Sequence, residues 1–208
     1  MTEEERIDKG LLFASEVPEL AAKKEKAHRM SQEYNALYET DREAREAILR
    51  ELLGSVGEGT CMLGPIRFHY GCHTTVGERC FMNVNFTVQD DARVSIGNDC
   101  NIGPNVTIVT PLHPLLAKER RGILCQDGVE RYLCYAKPVR IGNDCWLGAN
   151  VVVCPGVTIG DNCVIGAGSV VTKDIPADSL AVGVPARVVR QITEADSVRN
   201  LFPEPLHD

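Results

Sequence analysis

Aromatic residues are scarce in this chain of 208 residues, with one tryptophan, five tyrosines and five phenylalanines. Bases are fewer than acids, 22 against 29, for a formal charge of −7. A general nucleic-acid binder carries a basic face, so no nucleic-acid partner is expected. No apolar run approaches membrane-spanning length. The acidic, polar N-terminus does not read as a signal peptide, so a cytoplasmic protein without a membrane partner is expected. Cysteine is plentiful at nine, but tight CxxC spacing is missing. Cys61, Cys72, Cys125 and Cys134 form no recognisable ligand or disulfide framework, and no metal is expected. No serine lies in a nucleophile-elbow context and no convincing serine or cysteine triad is present, so no covalent intermediate on such a side chain is expected.

What the chain does have is a beat of six from Tyr70 to Thr172. Large apolar residues followed by glycine or a small polar residue recur at Tyr70-Gly71, Val76-Gly77, Met82-Asn83 and Val88-Gln89. After two extra residues come Ile96-Gly97, Ile102-Gly103 and Ile108-Val109. After an interruption the beat resumes as Ile141-Gly142, Leu147-Gly148, Val153-Cys154, Ile159-Gly160, Ile165-Gly166 and Val171-Thr172. Two residues ahead runs a second series, Thr74, Cys80, Phe86, Val94, Cys100, Val106, Cys145, Val151, Val157, Cys163 and Ser169. Four of the cysteines therefore read as small inward hydrophobes. A period of six fits neither a helix nor a simple strand. It fits a solenoid whose coils have three flat faces, stacked so that neighbours bury what one coil cannot. Glycine after the large residue suits a positive φ or a close backbone approach.

Residues 1–60 differ in kind. A short charged helix starts near Thr2, and Pro18 can open a longer one with Leu20, Ala27, Met30, Tyr34 and Leu37 as its apolar stripe. Thr40 and Glu43 have capping-box spacing, ahead of a further helix showing Ala44, Ile48 and Leu52 on one face. These helices are expected to cover the open end of the solenoid. The solenoid then occupies 61–192, with a long loop excursion at 110–140, and a tail runs over 193–208. The excursion carries both charged and apolar residues, which suggests a projection that packs partly on a neighbouring subunit. A mobile lid is the other reading.

Among five histidines, His28 reads as solvated and His207 lies in the tail. His69 and His73 read as surface or interface residues. His113 differs, because Pro111 and Pro114 restrict the backbone around it. An imidazole held in place suits a general base at neutral pH. Asn83 is an amide at a position where glycine is commoner, and so a candidate positioner. Asp90 and Asp91 are candidates for hydroxyl contacts or ordinary turn residues.

The run IGNDCWLGANVVVCPGVTIGDNCVIGAGSVVTKDIP, followed by AVGVPARVVR, resembles the hexapeptide-repeat acyltransferases. The helical segment, Asn83-Val84-Asn85-Phe86, Asn105-Val106-Thr107 and His113-Pro114 extend the likeness to their maltose and galactoside O-acetyltransferase branch. The resemblance covers nearly everything from Glu4 to Ile192. It implies a mainly β fold, a left-handed parallel β-helix with an N-terminal helical cap. It also implies acetyl-CoA-dependent O-acetylation of a sugar hydroxyl by a homotrimer with sites between subunits. On that basis His113 matches the catalytic histidine, and Asn83 and Phe81 match acceptor-pocket positions. Asp91, Lys24 and Glu16 are the remaining acceptor candidates. Trp146, Gly148, Ala149, Ala167, Thr172, Lys173 and Arg187 are carried over to the CoA side. A backbone N–H near Gly148-Ala149 is the candidate donor to the oxyanion.

The chain departs from relatives at three places. It lacks their cap aspartate, with Glu16 the nearest acid. Lys24 replaces an arginine. The loop after His113 is longer. An acceptor other than a simple sugar, such as a xenobiotic, is the alternative within the same chemistry. A silent structural solenoid, or a zinc hydratase needing three convergent histidines, are the alternatives outside it.

Overall fold

The computed structural model describes residues 1–199. Most strands are two to four residues long and fall into three parallel sheets, one per face of a prism. The first face holds Ser55–Val56, Thr74–Val76, Val94–Ile96, Val139–Ile141 and Thr158–Ile159. The second holds Cys61–Met62, Phe81–Met82, Asn101–Ile102, Trp146–Leu147, Val164–Ile165 and Ser179–Gly183. The third holds Ile66–Phe68, Phe86–Gln89, Thr107–Val109, Val152–Val153 and Val170–Val171. The chain visits the faces in that order, coil after coil, as a β-helix.

Register explains the beat. Val56, Val76, Ile96, Ile141 and Ile159 stack in the first face. Met62, Met82, Ile102, Leu147 and Ile165 stack in the second. Phe68, Val88, Ile108, Val153 and Val171 stack in the third. Apart from Val56 these residues are buried, as is every member of the second series from Thr74 to Ser169. The corner glycines answer close approach. A Cβ on Gly97 would lie 2.7 Å from the Gly142 carbonyl carbon, closer than packed coils tolerate. Among non-glycine residues the positive φ falls instead on the third residue past the large one, at Arg79, Asn85, Asp99, Asn105, Asp144, Asn150, Asn162 and Asp178. Asparagine and aspartate are the non-glycine residues that best accept that conformation.

The solenoid opens earlier than the sequence beat suggests, at Ser55, and the helices end at Leu52. Tyr70 is not an inward corner. Phe68 takes that place, and the step from Phe68 to Val76 has the same two extra residues as the step from Val88 to Ile96. Tyr70 is freed to pack in a second cluster with Ile7, Phe13, Leu20, Ala92, Cys134 and Ala136.

The cap has three helices, α1 (Glu3–Asp8), α2 (Pro18–Ala36) and α3 (Arg42–Leu52). The capping box forms at Thr2 and Glu5, not at Thr40 and Glu43. Asp41 takes the N-cap position of α3 and accepts from the Tyr38 amide instead. Ala44 is exposed; Arg45, Leu49 and Leu52 form the buried stripe. The reason lies in the open first coil, whose backbone groups need partners. Arg45 donates to the carbonyls of Met62 and Leu63, with its guanidinium 4.4 Å from the Tyr34 ring centroid. Tyr34 also donates to the Met62 carbonyl, and Asn35 bonds both the N–H and the carbonyl of Ile66.

The excursion has a fixed foot. Pro111–Leu112 pairs antiparallel with Leu133–Ala136, which pairs with Phe13–Ala14 of the cap. Beyond it lie α4 (Ala117–Arg120) and a hairpin of Ile123–Leu124 and Glu130–Arg131. Leu115, Leu124, Val129 and Tyr132 are exposed there. At the far end the AVGVPAR return is the turn of an antiparallel hairpin, Ser179–Gly183 with Ala186–Gln191. Within the expected tail, Glu194–Asp196 makes one helical turn; residues 200–208, including His207, lie outside the described part.

His73 is buried, contrary to the surface reading of its sequence. Its Nδ1 lies 2.8 Å from the Asp90 carbonyl and its Nε2 2.7 Å from Glu4 Oε1. Acceptors on both sides require both nitrogens to donate, which is the imidazolium. Burial opposes that charge, but contacts with Cys72, Glu4 and the Asp90 carbonyl outweigh it and raise the pKa to about 9. The pair ties α1 to the solenoid. A raised histidine pKa gives stability that is full below the unfolded value of 6.5 and lost as pH rises through about 9. Urea titrations of the wild type against His73→Gln are expected to differ by on the order of 2 kcal/mol near pH 6, the gap closing by pH 9 to 10. A pH-independent gap would contradict the charged assignment.

Candidate functional site

Strands on the second face present their outward residues in register: Phe81, Asn101, Trp146 and Val164. Together with the following corners they border a groove of 680 Å³ along the face. Six candidates meet there, Phe81, Asn83, Trp146, Gly148, Ala149 and Ala167. Trp146, the sole tryptophan, is 54% exposed on one wall. Gly148 has to be glycine, because a Cβ would sit 2.7 Å from the Ala167 nitrogen. Its N–H is taken by the Ile165 carbonyl at 2.8 Å. The Ala149 N–H makes no hydrogen bond among the described residues, so of the two amides it is the one able to meet a ligand. Sequence reasoning missed Asn101, Gly103, Pro104 and Val164. The 20-residue repeat from Phe81 to Asn101 was the available signal.

The other candidates lie elsewhere on the chain. His113 follows the antiparallel foot of the excursion, past the far edge of the third face. It is exposed, and none of the described residues hydrogen-bonds its ring. Thr172 and Lys173 are exposed just after the last third-face strand, and Arg187 is exposed on the closing hairpin of the second face. Glu16 is exposed in the turn before α2 and makes no hydrogen bond or ion pair among the described residues. Lys24 is half-buried on α2.

The two aspartates separate by role. Asp90 is consumed by the corner, accepting from the Tyr70 N–H at 2.8 Å and the Thr74 hydroxyl at 2.9 Å. Asp91 is equally buried, yet its Oδ2 has no partner and its Oδ1 stands 4.0 Å from His69 Nε2. Burial, then the Asp90 charge, pushes its pKa up to about 6. Burial, helped by Lys24 and the neighbouring histidines, pushes His69 down to about 4 and keeps it neutral. The buried Asp91 carboxylate thus keeps an unmet capacity to accept a hydrogen bond. No group of three metal-ligating side chains occurs among the described residues, and no helix is long and apolar enough to cross a membrane.

Comparison with known proteins bears on this arrangement. Residues 6–57 match the maltose acetyltransferase hexapeptide capping motif. Residues 138–173 match the bacterial transferase hexapeptide (six repeats), and 93–112 the hexapeptide repeat of succinyl-transferase. The chain is 40% identical to the galactoside O-acetyltransferase of Escherichia coli (strain K12) over 192 residues, covering 92% of this chain and 90% of that one. A solved galactoside acetyltransferase in complex with coenzyme A superposes with a TM-score of 0.86 at 40% identity, over 94% of each chain. A hexapeptide-repeat acetyltransferase of Vibrio cholerae O1 biovar eltor, complexed with acetyl coenzyme A, gives a TM-score of 0.82 at 34% identity, covering 93% of this chain and all of that one.

Asp91 carries a test of its own. Its folded pKa of about 6 lies above the usual 3.8, so the fold favours the protonated form. Stability is therefore lost as pH rises from about 4 to 6, and the full cost persists above. Asp91→Asn is expected to stabilise the protein at pH 7 to 8 by on the order of 1–3 kcal/mol, with the gain vanishing near pH 4. Thermal unfolding across that range checks it; destabilisation at pH 7 to 8 would show that the carboxylate is a structural brace.

Proposed function

The chain belongs to the maltose/galactoside O-acetyltransferase family of hexapeptide-repeat enzymes, and from that premise we propose that it moves acetyl from acetyl-CoA directly to a hydroxyl of a sugar acceptor, with His113 as general base. The observation that carries this reading is the second-face groove, where Phe81, Asn83, Trp146, Gly148, Ala149 and Ala167 converge on one largely apolar channel. Its corners and exposed indole suit an extended pantetheine arm. The acetyl group would then lie near the unbonded Ala149 amide.

His113 takes the proton as the sugar oxygen attacks the thioester carbonyl. The carbonyl oxygen becomes an oxyanion, which the Ala149 N–H stabilises. Collapse breaks the carbon–sulfur bond and gives the acetyl ester. The imidazolium returns its proton to the departing thiolate as free CoA. Alanine at 149 leaves no hydroxyl for that oxyanion, so the backbone carries the contact. Asn83 and Asp91, with Lys24, orient the acceptor hydroxyls; Asn83 presents its amide from the end of the groove, its Oδ1 accepting from the Val84 N–H at 2.8 Å.

In one chain His113 and the groove lie across a full face of the prism. The proposed working unit is the homotrimer that the family resemblance implies, with the histidine of one copy facing the groove of the next. Thr172, Lys173 and Arg187 then serve the anionic end of CoA. The exposed apolar tip of the excursion, at Leu115, Leu124, Val129 and Tyr132, becomes the part that covers the cleft.

Replacing His113 by Ala is expected to lower kcat/KM about 10²–10⁴-fold, measured as thiol release from acetyl-CoA over a sugar panel, with CoA affinity unchanged. Undiminished turnover would remove His113 as the base.

A further inference from the structure

A cavity of 320 Å³ lies between α2 and the outward side of the third face. His28, Ser31 and Gln32 of α2 form one wall; Arg67, Asn85 and Thr87 of the solenoid form the other. Asn35, bonded to both backbone groups of Ile66 at 2.9 and 2.7 Å, makes its floor rigid. The transfer chemistry described above uses none of these side chains.

Its chemistry is one-sided. No carboxylate lines it, in a chain where acids outnumber bases 29 to 22. Arg67 and His28 have no ion pair or hydrogen bond among the described residues; Lys24, one turn earlier on α2, lies outside the cavity beside Glu25. Burial, then the Arg67 and Lys24 charges, lowers the His28 pKa, as expected where positive charges face one another without a counter-ion. Ser31 is only 4% exposed, and its hydroxyl is buried without a partner. A buried orphan hydroxyl costs stability unless something bonds it.

The cavity also adjoins the acceptor contact. The His28 and His69 rings meet edge to face at 5.9 Å between centroids, and His69 Nε2 lies 4.0 Å from Asp91 Oδ1. One line of side chains thus runs from the cavity to Asp91.

We propose that this cavity is a subsite for an anionic substituent of the acceptor, a sugar bearing a carboxylate or a phosphate, with the Arg67 guanidinium meeting the charge and the His28 ring N–H and the Ser31 hydroxyl completing the contact. The proposal rests on the sugar-acceptor reading above. Arginine is suited to either anion through its planar pair of donors.

Equilibrium binding, read by calorimetry on the full-length protein at low salt, tests it without requiring turnover. The probes are glucuronate, glucose 6-phosphate, glucose and inorganic phosphate. At least one anionic sugar is expected to bind about tenfold or more tighter than glucose. Arg67→Gln is expected to abolish that preference while CoA binding is retained. Ser31→Ala is expected to weaken the anionic sugar without lowering the melting temperature. Equal binding of glucose and both anionic sugars, or an unchanged preference in Arg67→Gln, would overturn the subsite. Inorganic phosphate binding as tightly as glucose 6-phosphate would overturn its assignment to a sugar. A failure of the acetyl-transfer reading would show separately, as absent thiol release with every acceptor while the binding preference persists.

Discussion

Coils stacked at backbone-contact distance are the constraint from which the remaining structure follows. Where Gly97 meets Gly142 and Gly148 meets Ala167, even a methyl group has no room. That closeness puts Ile96 over Ile141 and Ile102 over Leu147 in strict register. Each inward position is then sealed by its neighbours above and below, so very short strands form a continuous core. The same register fixes what points outward. Phe81, Asn101, Trp146 and Val164 become a straight wall, and an extended groove comes with the repeat.

The third-to-first corner is where the repeat is relaxed and polar chemistry enters. Two extra residues in the early coils let Tyr70, His73, Asp90 and Asp91 gather there with Glu4 from α1. The cluster uses similar groups for opposite ends. His73, Glu4 and Asp90 satisfy one another or the backbone and hold the cap in place. Asp91 and neutral His69 remain under-satisfied, with Lys24 near on α2. The excursion leaves from the same corner, so its foot, its histidine and the cap all depend on how that corner is closed.

Much of this was legible in the residues. The six-residue beat named nearly every inward position because only a flat-faced coil keeps that period. The asparagines and aspartates three residues past the large ones marked the left-handed turns, although glycine drew the eye. Other features were hidden by competition between local and tertiary preference. Thr40 offered a capping box, but Asp41 already had the Tyr38 amide to bind. Ala44 looked apolar, but the open coil needed donors for its carbonyls, and Arg45 supplies them from a buried position. His73 looked like a surface residue because its partner, Glu4, lies 69 residues away. Of the proposed site, the second-face residues were recoverable from strand register. The distance of His113 from that groove was not, since a linear motif does not say which edge of the prism it leaves.

Given that separation, the proposed base and the proposed groove of one working site would belong to different copies of the chain. Subunit complementation decides between shared and single-chain sites. His113→Ala and Asn83→Ala proteins, each inactive alone, are unfolded together, refolded as mixed trimers and assayed with acetyl-CoA and an accepted sugar. Sites built across neighbours predict recovery to about a quarter of the wild-type rate at equal mixing, since each mixed trimer regains one intact site. No recovery, with mixed trimers demonstrably formed, would place the histidine and the asparagine in the same subunit's site and contradict the account.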